Sequence, residues 1–143
     1  QQKTLKFAMD EIIPANDKMP SASKAGGVNY ILKIVEELPD LSPLFISLTD
    51  KIEGQSLQQY NSAFSKINSE KRISVLTTIE QTEPELFKVL KDFTYESYYT
   101  NDAVYELISY EPHPTGTTGP EMEPFDEKLL DRVKNTPPMY TKI

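Results

Sequence analysis

The sequence predicts an all-α fold, a single-domain helical bundle over residues 1–110 followed by a Pro-rich extended C-terminal arm over residues 111–143. Apolar residues recur at helical spacing through most of the bundle segment, and the alternation typical of strands is absent. The segment after Tyr110 has four prolines between positions 112 and 124 and no apolar period. At 143 residues the chain is long enough for one domain with its own core.

Stripes of apolar residues place the helices in order along the bundle segment. Each stripe has its members three or four positions apart, so that they share one helix face. The stripes, one group for each predicted helix, are Leu5, Ala8, Met9, Ile12 and Ile13; Val28, Ile31, Leu32, Val35 and Leu38; Leu44, Leu48 and Ile52; Leu57, Tyr60, Phe64 and Ile67; Ile73, Leu76 and Ile79; Leu86, Leu90 and Phe93; and Val104, Leu107 and Ile108.

Proline, serine and glycine predict the boundaries of the first three helices. Pro14 disfavours helical geometry at the preceding residue and ends the first helix near Ile13. Ser21 or Ser23 is the predicted N-cap of the second helix. Gly54 is expected to interrupt the third.

Polar residues predict the starts of the later helices. Asn68 or Ser69 is expected to cap the fifth stripe, and Thr82 is the predicted N-cap of the sixth. An acidic first turn over residues 83–85 favours the sixth helix through its dipole. Within the arm, the segment FDEKLLDRVKN regains a helical pattern and predicts one short helix, packed on the bundle or on a partner.

Composition excludes several classes of function. The net charge of −7 and the absence of a Lys/Arg cluster argue against nucleic-acid binding. The absence of cysteine removes disulfides and thiolate chemistry. No apolar run reaches the roughly 18–20 residues that a membrane helix needs, so we expect no membrane insertion.

The sequence contains no recognisable catalytic, cofactor-binding or metal-binding motif. His113 is the only histidine and lies between two prolines, without a nucleophile-elbow serine or a Glu-x-x-His motif elsewhere. The sequence AGG at positions 25–27 lacks the spacing of a dinucleotide fingerprint. We therefore assign no catalytic, cofactor or metal residues, and we expect no cofactor in this chain.

The passage from Pro14 to Gly27 is the first candidate for a partner interface. Pro14 and the residues that follow, including Asp17, predict a rigid polar turn. Gly26 and Gly27 fall at the start of the next helix, where each costs about 1 kcal/mol relative to alanine. Glycine at this position indicates a close approach, either by another helix of the same chain or by a partner protein.

The second candidate is the tyrosine-rich segment with the prolines after it. Five tyrosines lie within sixteen residues, and helical spacing allows either a buried face or an exposed aromatic belt. The segment 95–124 is the best candidate for holding another protein. Its predicted interface residues are Tyr95, Tyr98, Tyr99, Tyr110, Pro112, His113 and Pro114.

These segments resemble the gluconate 2-dehydrogenase subunit 3 family. DEIIPANDKMPSASKAGGVNYI is similar to that family's N-terminal signature, in which D-x-I-I-P precedes a polar turn and an A-G-V helix start. FSKINSEKRISVL resembles the family's segment before a Leu-rich helix. LFKVLKDFTYESYYTNDAVYELISYEPHP resembles its later helix and the Tyr–Pro stretch that follows. The resemblance covers about Asp10 to Gly119.

The resemblance implies a small, non-catalytic partner of a large FAD-dependent sugar or polyol dehydrogenase of the glucose–methanol–choline type. The large subunit would carry FAD and the catalytic groups, and a cytochrome c subunit often accepts the electrons. The small subunit is expected to stabilise the large one, to help it mature and to bring a twin-arginine export signal. This sequence lacks that signal, but it begins with Gln1 rather than methionine, so we expect a processed chain that is periplasmic or otherwise exported.

A function from another class stays open at this point. The chain could be a freestanding exported helical protein that binds a small ligand or acts as an enzyme. That alternative needs a concave pocket with convergent polar groups, including His113 and several carboxylates.

Overall fold

The computed structural model describes residues 1–110 and 125–134, and all regular elements within them are helices. The predicted all-α class is therefore confirmed. The chain divides into two compact units, Gln1–Glu111 and Pro112–Ile143.

The first unit consists of six α-helices and two short 3₁₀ turns. The turns, Pro39–Leu41 and Phe64–Lys66, precede the third helix and the fourth. The α-helices are α1 (Gln2–Ile12), α2 (Gly27–Glu37), α3 (Ser42–Tyr60), α4 (Ser69–Thr82), α5 (Pro84–Tyr99) and α6 (Asp102–Leu107). In the described part of the second unit, a 3₁₀ turn over Glu127–Leu130 leads into α7 (Asp131–Lys134), where a helix was predicted.

The core of the first unit is formed by the apolar stripes of α1 to α6, which pack against one another around α3 and α5. Phe45 and Phe93 meet edge to face at 5.1 Å between ring centroids. The core residues whose side chains are fully inaccessible include Ala8, Met9, Leu48, Ile52, Phe64, Val75, Leu90 and Val104. The stripes therefore identified most of the core. Six of their members are instead about half exposed: Leu32, Leu38, Leu57, Ile73, Leu107 and Ile108.

The third and fourth predicted helices differ from the structure, because α3 continues through Gly54 to Tyr60. The predicted break at Gly54 is wrong. A glycine weakens a helix by about 1 kcal/mol but does not end it when the flanking turns are anchored, and Phe45, Leu48 and Ile52 anchor this helix in the core. The chain turns instead at Asn61, which adopts the left-handed conformation with φ 49°.

The N-cap of α4 agrees with one of the two predicted residues, whereas the predicted N-cap of α5 is wrong. Asn68 caps α4, since its side-chain oxygen accepts a hydrogen bond from the Lys71 N–H at 3.0 Å. Thr82 belongs to the end of α4, where its hydroxyl donates to the carbonyl of Thr78 at 2.9 Å. The N-cap position of α5 is held by Glu83, without a side-chain capping bond.

The predicted serine N-caps of α2 are also wrong, because a hydrogen-bonded turn separates both serines from the helix. Gly26 occupies the N-cap position with φ 89°, a left-handed conformation that L side chains rarely adopt. Ser23 instead donates its hydroxyl and its backbone N–H to the carboxylate of Asp10, at 2.7 and 2.9 Å. The turn is thereby tied back to α1.

An ion pair with little exposure connects α1 to α4. Glu11 accepts from Arg72 Nε at 2.6 Å and from the Ser69 hydroxyl at 2.6 Å. The Arg72 guanidinium also lies over the Phe7 ring, 4.6 Å from its centroid, and donates to the carbonyl of Ile67. These contacts fix the end of α1, and with it the start of the loop that forms the candidate site.

Candidate functional site

The two segments singled out in the sequence lie against each other in the structure. The Tyr98 hydroxyl donates to the Pro20 carbonyl at 2.9 Å, and Asn101 Nδ2 donates to the Ala25 carbonyl at 2.8 Å. Each bond joins residues more than 70 positions apart and places the α1–α2 loop beside the C-terminal half of α5. The candidate site is this junction and the surface next to it.

The α1–α2 loop has a fixed shape although its residues 14–18 are exposed. The Asn16 side-chain oxygen accepts from the backbone N–H groups of Lys18 and Met19, both at 2.9 Å, as expected for an Asx turn. The Asn16 N–H donates in turn to the Met19 carbonyl. Pro14 and Asp17 lie on this loop and are exposed, so both are accessible to another molecule.

The close approach predicted for Gly27 is made within the chain. Gly27 is buried, and a Cβ atom there would lie 2.4 Å from Met9 Cε and 2.9 Å from the Ala22 carbonyl oxygen. Gly26 is partly exposed, and its positive φ is by itself a reason for glycine. Packing of the turn against α1 and α5 therefore accounts for Gly27, and the backbone conformation accounts for Gly26. Whether a partner also contacts them stays a prediction.

The tyrosines divide between core and surface. Tyr98 is 2% exposed and belongs to the core, whereas Tyr95, Tyr99 and Tyr110 are 43%, 50% and 52% exposed. Tyr99 packs edge to face on Tyr98, with 5.2 Å between ring centroids, and its ring also lies near that of Tyr95. Tyr98 is hydrogen-bonded to the loop, so the ring against which Tyr99 packs is fixed in place.

A shallow groove of about 230 Å³ adjoins Tyr95 between α1, α4 and α5. We use the term docking surface for Tyr95, Tyr99 and this groove together. Ile73 is 51% exposed at the groove, although its stripe predicted a buried position. The groove is lined by Glu11, Ile12, Ile73, Leu76, Thr77, Glu80, Phe87, Lys91 and Tyr95. Its apolar lining residues include Phe87 and Tyr95, and aromatic residues are the type enriched at protein interfaces.

Two phenols next to the junction stay protonated over a wide pH range. Burial raises the pKa of Tyr98 above 10.0, with a smaller contribution from Tyr99. Burial also raises the pKa of Tyr30, and so does the hydrogen bond that its hydroxyl donates to Glu96 at 2.8 Å. Both hydroxyls are therefore hydrogen-bond donors at neutral pH, which suits a structural role.

Two features are absent from the described residues, a cluster of metal ligands and a membrane-spanning helix. Within residues 1–110 and 125–134, no three His, Cys, Asp or Glu side chains are grouped so that they could hold a metal ion. In the same ranges, none of the helices is both long and apolar enough to span a bilayer. Pro112, His113 and Pro114 lie outside the described residues, so the alternative of a His113 pocket stays open.

Two residues of the site were missed by the sequence reasoning. Asn101 caps α6 through bonds to the N–H groups of Ala103 and Val104, while its amide holds Ala25. Asparagine immediately before Asp102 is a typical N-cap pattern and could have been read from the sequence. Phe87 lines the groove, and no local pattern in the sequence predicts this position.

Comparison with known proteins gives one match. The family model described as Gluconate 2-dehydrogenase subunit 3 matches residues 1–114, a span that includes α1 to α6 and the whole docking surface. No curated protein and no solved structure matches the chain.

Proposed function

The chain belongs to the gluconate 2-dehydrogenase subunit 3 family, and we propose that it is the accessory subunit that binds a large FAD-dependent dehydrogenase subunit. In this proposal the large subunit is of the glucose–methanol–choline type and oxidises a sugar or polyol. It holds the FAD and the catalytic groups, and a cytochrome c subunit accepts the electrons. The small subunit stabilises its partner and helps it to mature and to be exported.

The docking surface is the observation that carries this proposal. Tyr95, Tyr99 and Ile73 expose about half of each side chain around an apolar groove. Tyrosine is enriched at the centres of protein interfaces, because it buries a large area while its hydroxyl keeps a polar contact. A stable interface buries roughly 1,200–2,000 Å² in total, so the partner would extend beyond the groove onto the neighbouring loop.

The rigidity of the junction supports a binding role. Asn16 fixes the loop, and Tyr98 and Asn101 tie the loop to α5 before any partner arrives. A surface that is already ordered loses little conformational entropy on binding, and this raises the affinity for a given contact area.

We assign the oxidation itself to the partner. Partly buried carboxylates of the first unit are engaged in structural bonds, among them Glu11 with Arg72 and Glu53 with Thr4 and the Phe64 N–H. A general base has to face its substrate, whereas these two carboxylates face partners within the chain.

Co-expression tests the proposal. The large dehydrogenase subunit of the same organism is produced with and without this chain, and soluble protein and bound FAD are measured for each culture. We expect soluble, FAD-loaded large subunit that co-purifies with this chain, and mostly insoluble or FAD-free large subunit without it. Equal yields of soluble, FAD-loaded protein in both cultures, with no co-purification, would contradict the proposal.

A further inference from the structure

A cleft between α1 and α2 carries three lysines. It has a volume of about 370 Å³ and is lined by Gln2, Lys3, Lys6, Ser23, Lys24 and Val28. The three lysines are exposed, while Val28 is partly buried and forms an apolar floor. We call this feature the lysine cleft. It does not share a lining residue with the groove of the docking surface.

The sequence concentrates positive charge around the lysine cleft. Residues 1–9 and 18–35 together contain five lysines and no acidic residue, in a chain that has 22 acidic residues and a net charge of −7. These two ranges include most of α1, the later part of the α1–α2 loop and nearly all of α2, and the cleft is lined from α1, this loop and the first turn of α2. The acidic residues of the two helices, Asp10, Glu11, Glu36 and Glu37, lie at the C-terminal ends and do not line the cleft. The lining of the cleft is therefore positively charged in a chain of negative net charge.

The lysines of the cleft are not neutralised within the described part of the chain. The ion pairs there involve Lys33, Lys51, Arg72, Lys88 and Lys134, and none involves Lys3, Lys6 or Lys24. The carboxylate tied to the cleft lining is that of Asp10, and both of its oxygens accept hydrogen bonds from Ser23. One carboxylate against three ammonium groups leaves the cleft with a net positive charge.

We propose that the lysine cleft binds an acidic segment of a partner polypeptide. Three ammonium groups along a furrow between two helices match carboxylates that are spaced along an extended chain, and Val28 gives one apolar contact. Charge complementarity of this kind speeds up association and selects the partner more than it adds affinity.

The inference does not depend on the proposed function, because it is tested on the isolated full chain. The backbone amides of the ¹⁵N-labelled protein are followed by NMR while a capped hexaglutamate peptide is added at an ionic strength below about 0.05 M, where surface charges are weakly screened. We expect the shifts to concentrate at residues 2–6 and 23–28. A capped hexaglutamine peptide should cause none.

A matched pair of variants makes the test specific. The triple variant Lys3→Gln, Lys6→Gln, Lys24→Gln should bind hexaglutamate about tenfold more weakly, in line with the usual contribution of exposed charge pairs. The control Lys66→Gln, Lys71→Gln, Lys88→Gln makes the same change in net charge at exposed lysines that line neither the cleft nor the docking surface, and it should bind like the unchanged protein. Circular dichroism of both variants checks that each is folded.

Three results would overturn the inference. Equal weakening by the two triple variants would show that only net charge matters. Absent shifts, or shifts away from residues 2–6 and 23–28, would show that the cleft does not hold the peptide. Binding to phosphatidylserine-containing vesicles without binding to hexaglutamate would identify a lipid surface instead of an acidic polypeptide.

Discussion

At the scale of single residues, Gly27 and Gly54 differ in the space that surrounds them. Gly27 lies between the Met9 methyl group and the Ala22 carbonyl, where a Cβ atom does not fit. Gly54 is exposed in the middle of α3, and a Cβ atom there would have no neighbour within 4 Å. Alanine at these two positions should therefore have opposite effects on stability.

Gly27→Ala should lower the free energy of unfolding by about 1–3 kcal/mol, because Met9 can shift but the Ala22 carbonyl belongs to the backbone. Gly54→Ala should raise it by up to about 1 kcal/mol, because alanine restricts the unfolded chain and favours the helix. Urea unfolding followed by circular dichroism measures both values. A change of the same sign in both variants would show that local packing does not explain these glycines.

The buried phenol of Tyr98 should make stability depend on pH in the alkaline range. Its pKa is raised above 10.0 in the folded protein, chiefly by burial, whereas the unfolded chain has the ordinary value. The stabilisation linked to this group is complete below pH 10.0 and is lost as the pH rises through the folded pKa.

Thermal unfolding between about pH 9 and pH 11 measures this effect, because the window brackets the ordinary tyrosine pKa. Tyr98→Phe should be less stable than the unchanged chain at neutral pH, since the bond to Pro20 is lost. Its stability should also fall less steeply above pH 10.0. An unchanged slope in the variant would mean that Tyr98 does not contribute to the alkaline loss.

At the scale of elements, Asn101 connects three parts of the first unit. Its side-chain oxygen caps α6, and its amide nitrogen holds the turn before α2 against the end of α5. We expect Asn101→Ala to lower the free energy of unfolding by roughly 1–3 kcal/mol, because both functions are lost. Hydrogen exchange should become faster at Ala25, Gly26 and Gly27.

Asn101→Asp separates the two functions of this residue. Aspartate keeps the capping oxygen but has no N–H group to donate to the Ala25 carbonyl. The turn should therefore exchange faster in this variant while α6 stays protected. Unchanged protection of the turn would show that the cap alone holds this region, and equal loss in α6 and in the turn would show that the two functions are not separable.

The helix boundaries differ in how well the sequence predicts them. The end of α1 follows from Pro14 and the start of α4 from Asn68, because each residue acts on its immediate neighbours in the chain. The starts of α2 and α5 were predicted at the wrong residues, because polar residues near a helix start have competing partners. Ser23 binds Asp10 and Thr82 binds Thr78, and neither bond is specified by an N-cap pattern.

The sequence predicted the two segments of the candidate site, but it did not predict that they lie against each other. Spacing alone does not show which tyrosines are buried, since residues three and four apart share one face. Tyr98 is buried because Pro20, 78 positions earlier, accepts its hydrogen bond. Contacts between residues so far apart in the chain form only when the whole bundle packs. A local pattern of residue types therefore does not predict them.

At the scale of the whole molecule, the central claim is that the first unit is a rigid platform whose exposed tyrosines hold a larger protein. The family assignment covers the complete platform, since the match runs over residues 1–114. The docking surface combines α1, α4 and α5, so it exists only when these helices are packed together. Binding should therefore depend on folding as well as on the individual side chains.

The most direct test measures the affinity of the purified large FAD-dependent subunit for docking-surface variants of this chain. Tyr95→Ala and Tyr99→Ala should each weaken binding by about tenfold or more, the effect typical of central aromatic residues. Ile46→Ser is the matched control, because Ile46 is 42% exposed on a different groove and Tyr95 is 43% exposed. Unchanged affinity in both tyrosine variants, or equal weakening in the control, would contradict the account.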